Sequence, residues 1–152
     1  NNAFKKLQDN LMLFYTGKTR SASDVLLEQK NNLIKDKNKF EMQLQMTELI
    51  EKAKQCLCES DIDGFGAILD ENWQLKKKLS SKISNKDIDD IYLQAKKNGA
   101  IGGKLLGAGG GGFILFYCPV ENHNKLRSAL QQLREIKYKF ENTGTMLFHL
   151  DP

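Results

Sequence analysis

A chain of 152 residues with 40% hydrophobic and 28% charged side chains has the make-up of one globular domain, long enough for a single core and too short for two large ones. Its formal net charge of +4 is mild, and its basic residues are dispersed apart from Lys76-Lys77-Lys78, which argues against a nucleic-acid-binding stripe. The longest apolar run, Phe113 to Cys118, falls far below the ~20 residues of a membrane span, and no secretory leader pattern opens the sequence, so a cytoplasmic protein with no membrane partner is expected.

The first residues, Asn1-Asn2-Ala3-Phe4-Lys5-Lys6, lack an initiator methionine, which suits a piece of a longer protein. Leu11-Met12-Leu13-Phe14-Tyr15 predicts a short strand closed by a turn at Thr16-Gly17. Ser21, three residues before Asp24, reads as the cap of a helix in which Ala22, Val25, Leu26, Gln29 and Leu33 follow the helical period, so that one face can be buried. Polar Lys35 to Lys39 connects it to the clearest helix of the chain, with Met42, Met46, Leu49, Ile50, Ala53 and Leu57 on one stripe. After Asp61 a third stripe runs through Ile62, Phe65, Leu69, Trp73 and Leu79, and Trp73 reads as core. A fourth helix opens with Ser84 as cap, carries Ile88, Ile91, Tyr92 and Ala95, and stops at Lys96-Lys97-Asn98-Gly99.

Ile101 to Leu106 and Phe113 to Cys118 then predict two strands, followed by a helix through Leu126, Ala129, Leu130 and Leu133. Two final strands are expected at Tyr138 to Glu141 and at Thr145 to Leu150. Strands adjacent in sequence pair antiparallel, so the fold class is α+β, an antiparallel sheet with helices packed on one face. The three cysteines form neither a disulfide framework nor a zinc site. Cys56 and Cys58 are two apart on a helix and point in different directions, and no histidine is near them in sequence. Asp24, Asp61 and Asp63 read as helix caps or first-turn acids, so no metal ligands and no catalytic carboxylate are expected in this chain.

Gly107-Ala108-Gly109-Gly110-Gly111-Gly112 is the most informative segment. Lacking a Cβ, glycine lets the backbone adopt positive φ and approach a ligand or another backbone, and successive N–H groups can converge on an anion. Gly107, Gly109 and Gly112 have the spacing of a dinucleotide fingerprint, but the run opens a strand where that fingerprint must open a helix. A Walker A loop fails as well, because Leu105 follows Gly103-Lys104 where Ser or Thr is needed. Two uses stay open: an anion nest, or a wide hairpin that packs closely against a neighbour.

The segment Gly103 to Phe113 closely resembles the third, glycine-rich motif of the GHMP kinases, the family of galactokinase and of homoserine, mevalonate and phosphomevalonate kinases. Leu13 to Leu26 resembles the segment that opens the C-terminal half of bacterial D-glycero-D-manno-heptose 7-phosphate kinases. The resemblance spans essentially all of residues 1–152 and implies a GHMP kinase C-terminal domain, a ferredoxin-like layer. It implies that the N-terminal ATP-binding domain of the same protein, absent from this chain, supplies the phosphate loop and the acidic groups for Mg²⁺. ATP and Mg²⁺ would then be the cofactors of the whole enzyme, an ATP-dependent phosphotransferase acting on a sugar or sugar phosphate. D-glycero-D-manno-heptose 7-phosphate is the acceptor that the second segment implies. Another GHMP small-molecule kinase and a non-catalytic anion-binding module are the alternatives.

Carried over by position, the resemblance places Gly107, Ala108, Gly109, Gly110 and Gly111 in the wall of the phosphate and acceptor site, with Lys104 adding a positive charge. Arg20 is the expected contact to an acceptor phosphate, since its planar fork suits bidentate binding and a cation at a helix start is unfavourable without an anion. The alternative for Arg20 is a plain surface position. The chain alone is expected to be inactive, and Gly109→Val is expected to abolish catalysis while sparing the fold.

Overall fold

The computed structural model describes residues 2–18, 21–141 and 143–145. In chain order the elements are α1 (Asn2–Asn10), β1 (Leu11–Tyr15), α2 (Ala22–Lys35), α3 (Lys37–Glu59), α4 (Ile62–Leu79), α5 (Lys86–Lys97), β2 (Gly102–Leu105), β3 (Phe113–Tyr117), α6 (His123–Ala129) and β4 (Arg134–Ile136), with a 3₁₀ turn at Val120–Asn122. The four strands form one antiparallel sheet in the order β2-β3-β1-β4. This is the α+β architecture expected from the strand and helix patterns.

Register explains the core. Phe14 lies opposite Ile114, which lies opposite Leu105, and Met12 lies opposite Phe116. Cross-strand partners share a face, so these five side chains form one buried layer. Trp73 of α4 and Tyr92 of α5 stack beside that layer, with ring centroids 6.1 Å apart, and Tyr92 lies 5.7 Å from Phe116. Val25, Leu79, Ile83, Ile88, Leu126 and Leu130 complete the same cluster. Helix α4 packs directly on the edge strand β2: a side chain at Gly102 would strike the Gly66 carbonyl, so only glycine fits there.

Four local expectations need correction. Helix α1 was not foreseen, because its few apolar residues make too short a pattern, and its Phe4 finds a partner in Phe140 at the far end of the chain, 4.9 Å away. The connection at Lys35 to Lys39 shrinks to Asp36 alone, whose carboxylate accepts from the Asn38 and Lys39 amides and starts α3 at once. Ser21 stands at the start of α2 without a capping bond, its hydroxyl paired with that of Ser23, and α5 is capped by Asn85, not Ser84. The last described strand is β4, on β1, whereas Tyr138 to Glu141 is irregular; of the strand expected at Thr145 to Leu150, residues 146–150 lie outside the described residues.

Candidate functional site

The glycine run is the loop of the β2–β3 hairpin, and it is tied at several points to parts of the chain remote in sequence. The Leu106 N–H donates to the Phe113 carbonyl (2.8 Å) at the hairpin's neck. The Gly110 amide donates to the Ile83 carbonyl (2.9 Å), and the Gly112 amide to the Lys18 carbonyl (2.6 Å). The Thr16 amide and hydroxyl both donate to the Gly112 carbonyl (2.8 and 2.9 Å). The loop is therefore clamped between the turn before α5 and the segment after β1.

The glycines divide into two kinds. Gly109, at φ +125°, lies so close to the turn that a Cβ would sit 2.7 Å from the Ile83 Cα, and a Cβ on Gly111 would lie 2.6 Å from the Lys18 carbonyl oxygen. These two, with Gly110, meet protein. Gly107, at φ +81°, faces open space, with nothing within 4 Å of a Cβ placed on it. Among the described residues the N–H groups of Gly107 and Ala108 donate to no protein acceptor.

Gly107 and Ala108 form part of the wall of a cleft of about 550 Å³. Helix α2 contributes Leu26 and Gln29, α3 contributes Gln43, Met46, Thr47 and Ile50, α4 contributes Asn72 and Lys76, and β2 contributes Lys104. Lys76 is half-buried, and its ammonium donates to the Gly107 carbonyl (2.9 Å). Burial, with the nearby charge of Lys104 adding to it, pushes the Lys76 pKa below the usual lysine value. The cleft thus combines two cations with a lining that holds no carboxylate. Such a surface favours an anion.

Of the residues expected at the site, Lys104, Gly107 and Ala108 come together in this cleft. Gly109, Gly110 and Gly111 lie beyond it, in the clamp, and Arg20 lies outside the described residues. Lys76 was missed, because the run Lys76-Lys77-Lys78 reads as a solvated helix face. A signal for it was present: Lys76 is three residues from Trp73 and three from Leu79, in phase with the buried stripe of α4. The three acids have local duties or none: Asp61 accepts from the Gly64 amide (2.9 Å), Asp63 accepts from the Tyr117 hydroxyl (2.6 Å), and Asp24 is exposed in the first turn of α2. Among the described residues no three His, Cys, Asp or Glu side chains are grouped to hold a metal ion, and no helix is long and apolar enough to cross a membrane.

Comparison with known proteins gives consistent matches. The family described as GHMP kinases C terminal matches residues 42–139. The chain is 33% identical over 124 residues to D-glycero-alpha-D-manno-heptose 7-phosphate kinase of Campylobacter jejuni, covering 81% of this chain and 36% of that protein. It is 31% identical over 144 residues to the bifunctional fucokinase/GDP-fucose pyrophosphorylase of Arabidopsis thaliana, covering 90% of this chain and 13% of that protein. The crystal structure of L. major mevalonate kinase in complex with R-mevalonate superimposes with a TM-score of 0.74 at 19% identity, covering 82% of this chain and 40% of that one, a likeness of fold. The chain thus spans 36% of the first relative's length and 13% of the second's.

Proposed function

The chain belongs to the GHMP kinases, as the C-terminal domain of that family, and on that premise we propose that it forms the acceptor-side wall of an ATP-dependent sugar kinase. The observation that carries this reading is the cleft that Lys76, Lys104, Gly107 and Ala108 line together, with no carboxylate in its wall. Phosphoryl transfer asks little covalent chemistry of the protein and is governed by positioning and charge neutralisation. An ammonium group held in place, as Lys76 is by the Gly107 carbonyl, supplies both before the substrate arrives.

Among the described residues no three His, Cys, Asp or Glu side chains are grouped to fit a Mg²⁺ site, and Asp61 and Asp63 are engaged by the Gly64 amide and the Tyr117 hydroxyl. Mg²⁺, the ATP phosphates and any general base therefore belong, in this reading, to a second, N-terminal half of the same protein. The work of this chain is to hold the acceptor, exclude water and present its hydroxyl. The acceptor that best fits is D-glycero-D-manno-heptose 7-phosphate, given the likeness to the Campylobacter jejuni protein of that name. Arg20 remains our candidate for a contact to the phosphate of that acceptor. Cytoplasmic ATP and three free cysteines suit the same reading.

A second reading has its own support, because the similarity to the bifunctional plant fucokinase is nearly as high and extends over more of this chain. Fucose carries no phosphate, so the two readings part cleanly. The test is an acceptor screen of the intact enzyme with ATP and Mg²⁺, using the heptose 7-phosphate, fucose, galactose and mevalonate. The expected result is turnover of the heptose 7-phosphate with kcat/KM at least tenfold above the others. Preference for fucose would replace the acceptor, and turnover of none would overturn the kinase reading.

A further inference from the structure

We propose that Lys76, acting with Lys104, grips a phosphate ester already present on the acceptor, so that the cleft of this chain selects phosphorylated over unphosphorylated polyols. The inference rests on the kinase reading for its biological meaning and on the cleft for its chemistry.

The lysines of this chain are unevenly served. Lys77, the next residue on α4, pairs with Asp89 at 3.1 Å, and Lys96 pairs with Asp70 at 3.0 Å. Neither Lys76 nor Lys104 has a carboxylate partner among the described residues. Yet Lys76 is half-buried and lies close enough to Lys104 for the two charges to oppose each other. Two like charges held together in a partly dry cleft are unfavourable unless an anion arrives to share them. The only hydrogen bond of the Lys76 ammonium among the described residues is to the Gly107 carbonyl, which leaves further N–H groups to donate. That single bond also fixes the ammonium against the glycine-rich loop.

The rest of the lining defines what the anion is attached to. Gln29, Gln43, Thr47 and Asn72 are neutral groups that both donate and accept, the character that hydroxyl groups need. Asn72 precedes Lys76 by one helical turn, so the two project from the same face of α4. A cleft whose lining sets two lysines among neutral amide and hydroxyl side chains, with Leu26, Met46 and Ile50 beside them, suits a phosphate monoester of a polyhydroxylated body.

Steady-state kinetics of the intact enzyme separate the two sources of phosphate. In Lys76→Met, which keeps the length of the stem, KM for the heptose 7-phosphate should rise at least tenfold, with KM for ATP within twofold of the parent. Lys104→Met should act the same way, and Lys77→Met, whose partner is Asp89, should leave both constants unchanged. An unchanged acceptor KM in a folded Lys76→Met enzyme overturns the inference and leaves the kinase reading standing. An equal rise in KM for ATP also overturns it, by assigning the pair to the nucleotide.

Should the enzyme turn over no acceptor, the kinase reading fails and the cleft is judged directly. Inorganic phosphate added to the intact protein should shift the amide resonances of Gly107 and Ala108, and Lys76→Met should weaken that binding at least tenfold. Absence of any shift up to high millimolar phosphate overturns the inference. Lys76→Arg, which keeps the charge, should restore most of the binding.

Discussion

Gly109 and Gly107 stand two residues apart and meet opposite surroundings. A β-branched side chain at Gly109 would be driven into the Ile83 backbone, at a φ of +125° that L-residues rarely adopt. The expectation that Gly109→Val spares the fold is therefore replaced. Backbone strain of about 1–3 kcal/mol and displacement of the turn before α5 should together lower the melting temperature by well over 5 °C. Gly107→Ala has room, and its cost should be limited to the about 1–2 kcal/mol of a left-handed alanine. Thermal melts of both variants beside acceptor KM values test the division. Gly109→Val should lose stability first, and Gly107→Ala should stay folded with a raised acceptor KM. The glycine run was plain in the sequence, but which glycine packs and which stays open was not. That depends on Ile83 and Lys18, residues distant in the chain that no local pattern brings to the loop. Lys76 was obscured for a related reason, since a lysine flanked by lysines looks solvated until the phase of the helix is weighed.

Between elements, the β2 edge is held by one polar cluster. Asp70 of α4 accepts from the Tyr92 hydroxyl of α5 (2.6 Å), from Lys96 of α5 (3.0 Å) and from Gln74 (3.2 Å). Tyr92 lies 3.2 Å from the Gly103 carbonyl as well, and Lys96 donates to that of Ile101, so strand and helices share the cluster. Burial alone would raise the Asp70 pKa, but these bonds and the Lys96 charge hold it below the usual carboxylate value. A carboxylate with a lowered pKa in the folded state adds stability that is fully present above its unfolded value, about 3.9, and is lost as pH falls through the lower folded value. The urea midpoint should therefore drop as pH falls from 5 toward 3. Asp70→Asn should be about 1–3 kcal/mol less stable at pH 7, with a flatter acid limb. Equal slopes in the two proteins would show that Asp70 carries no share of the acid response. Most elements were legible because each declares itself locally: β1 and β3 as apolar runs, α3 and α4 as helical stripes. Helix α1 and strand β4 did not, because the first leans on Phe140 and the second on β1, contacts that close only when the two ends of the chain meet.

Across the whole molecule, the apolar surface is distributed unevenly. One contiguous cluster joins the sheet to α4, α5 and α6, with Trp73, Phe116 and Leu126 fully buried, so the chain holds a core of its own. Helices α2 and α3, by contrast, leave Leu27 60%, Ile34 73% and Ile50 61% exposed. Patterning alone could not reveal this, because the stripe of α3 is apolar throughout while only its Leu49 is buried. The cleft was equally hidden, being assembled from residues between positions 22 and 108 on four elements and a loop. From the closed core we expect the 152-residue chain to unfold cooperatively in urea, with coincident transitions by fluorescence of Trp73 and by circular dichroism. From the chemistry of its side chains we expect no ATP turnover by the same preparation. The cleft gathers lysines and amides but no carboxylate to take a proton from an acceptor hydroxyl, and the carboxylates of Asp61, Asp63 and Asp70 are engaged elsewhere. Binding of phosphate without turnover is the combination that a positioning half predicts. ATP hydrolysis or transfer that follows the folded chain through successive purification steps, and disappears on its denaturation, would show that the catalytic groups lie in this chain after all. Non-coincident unfolding transitions would show instead that α2 and α3 need a covering partner to hold their place, and that the cleft they line forms only in the intact enzyme.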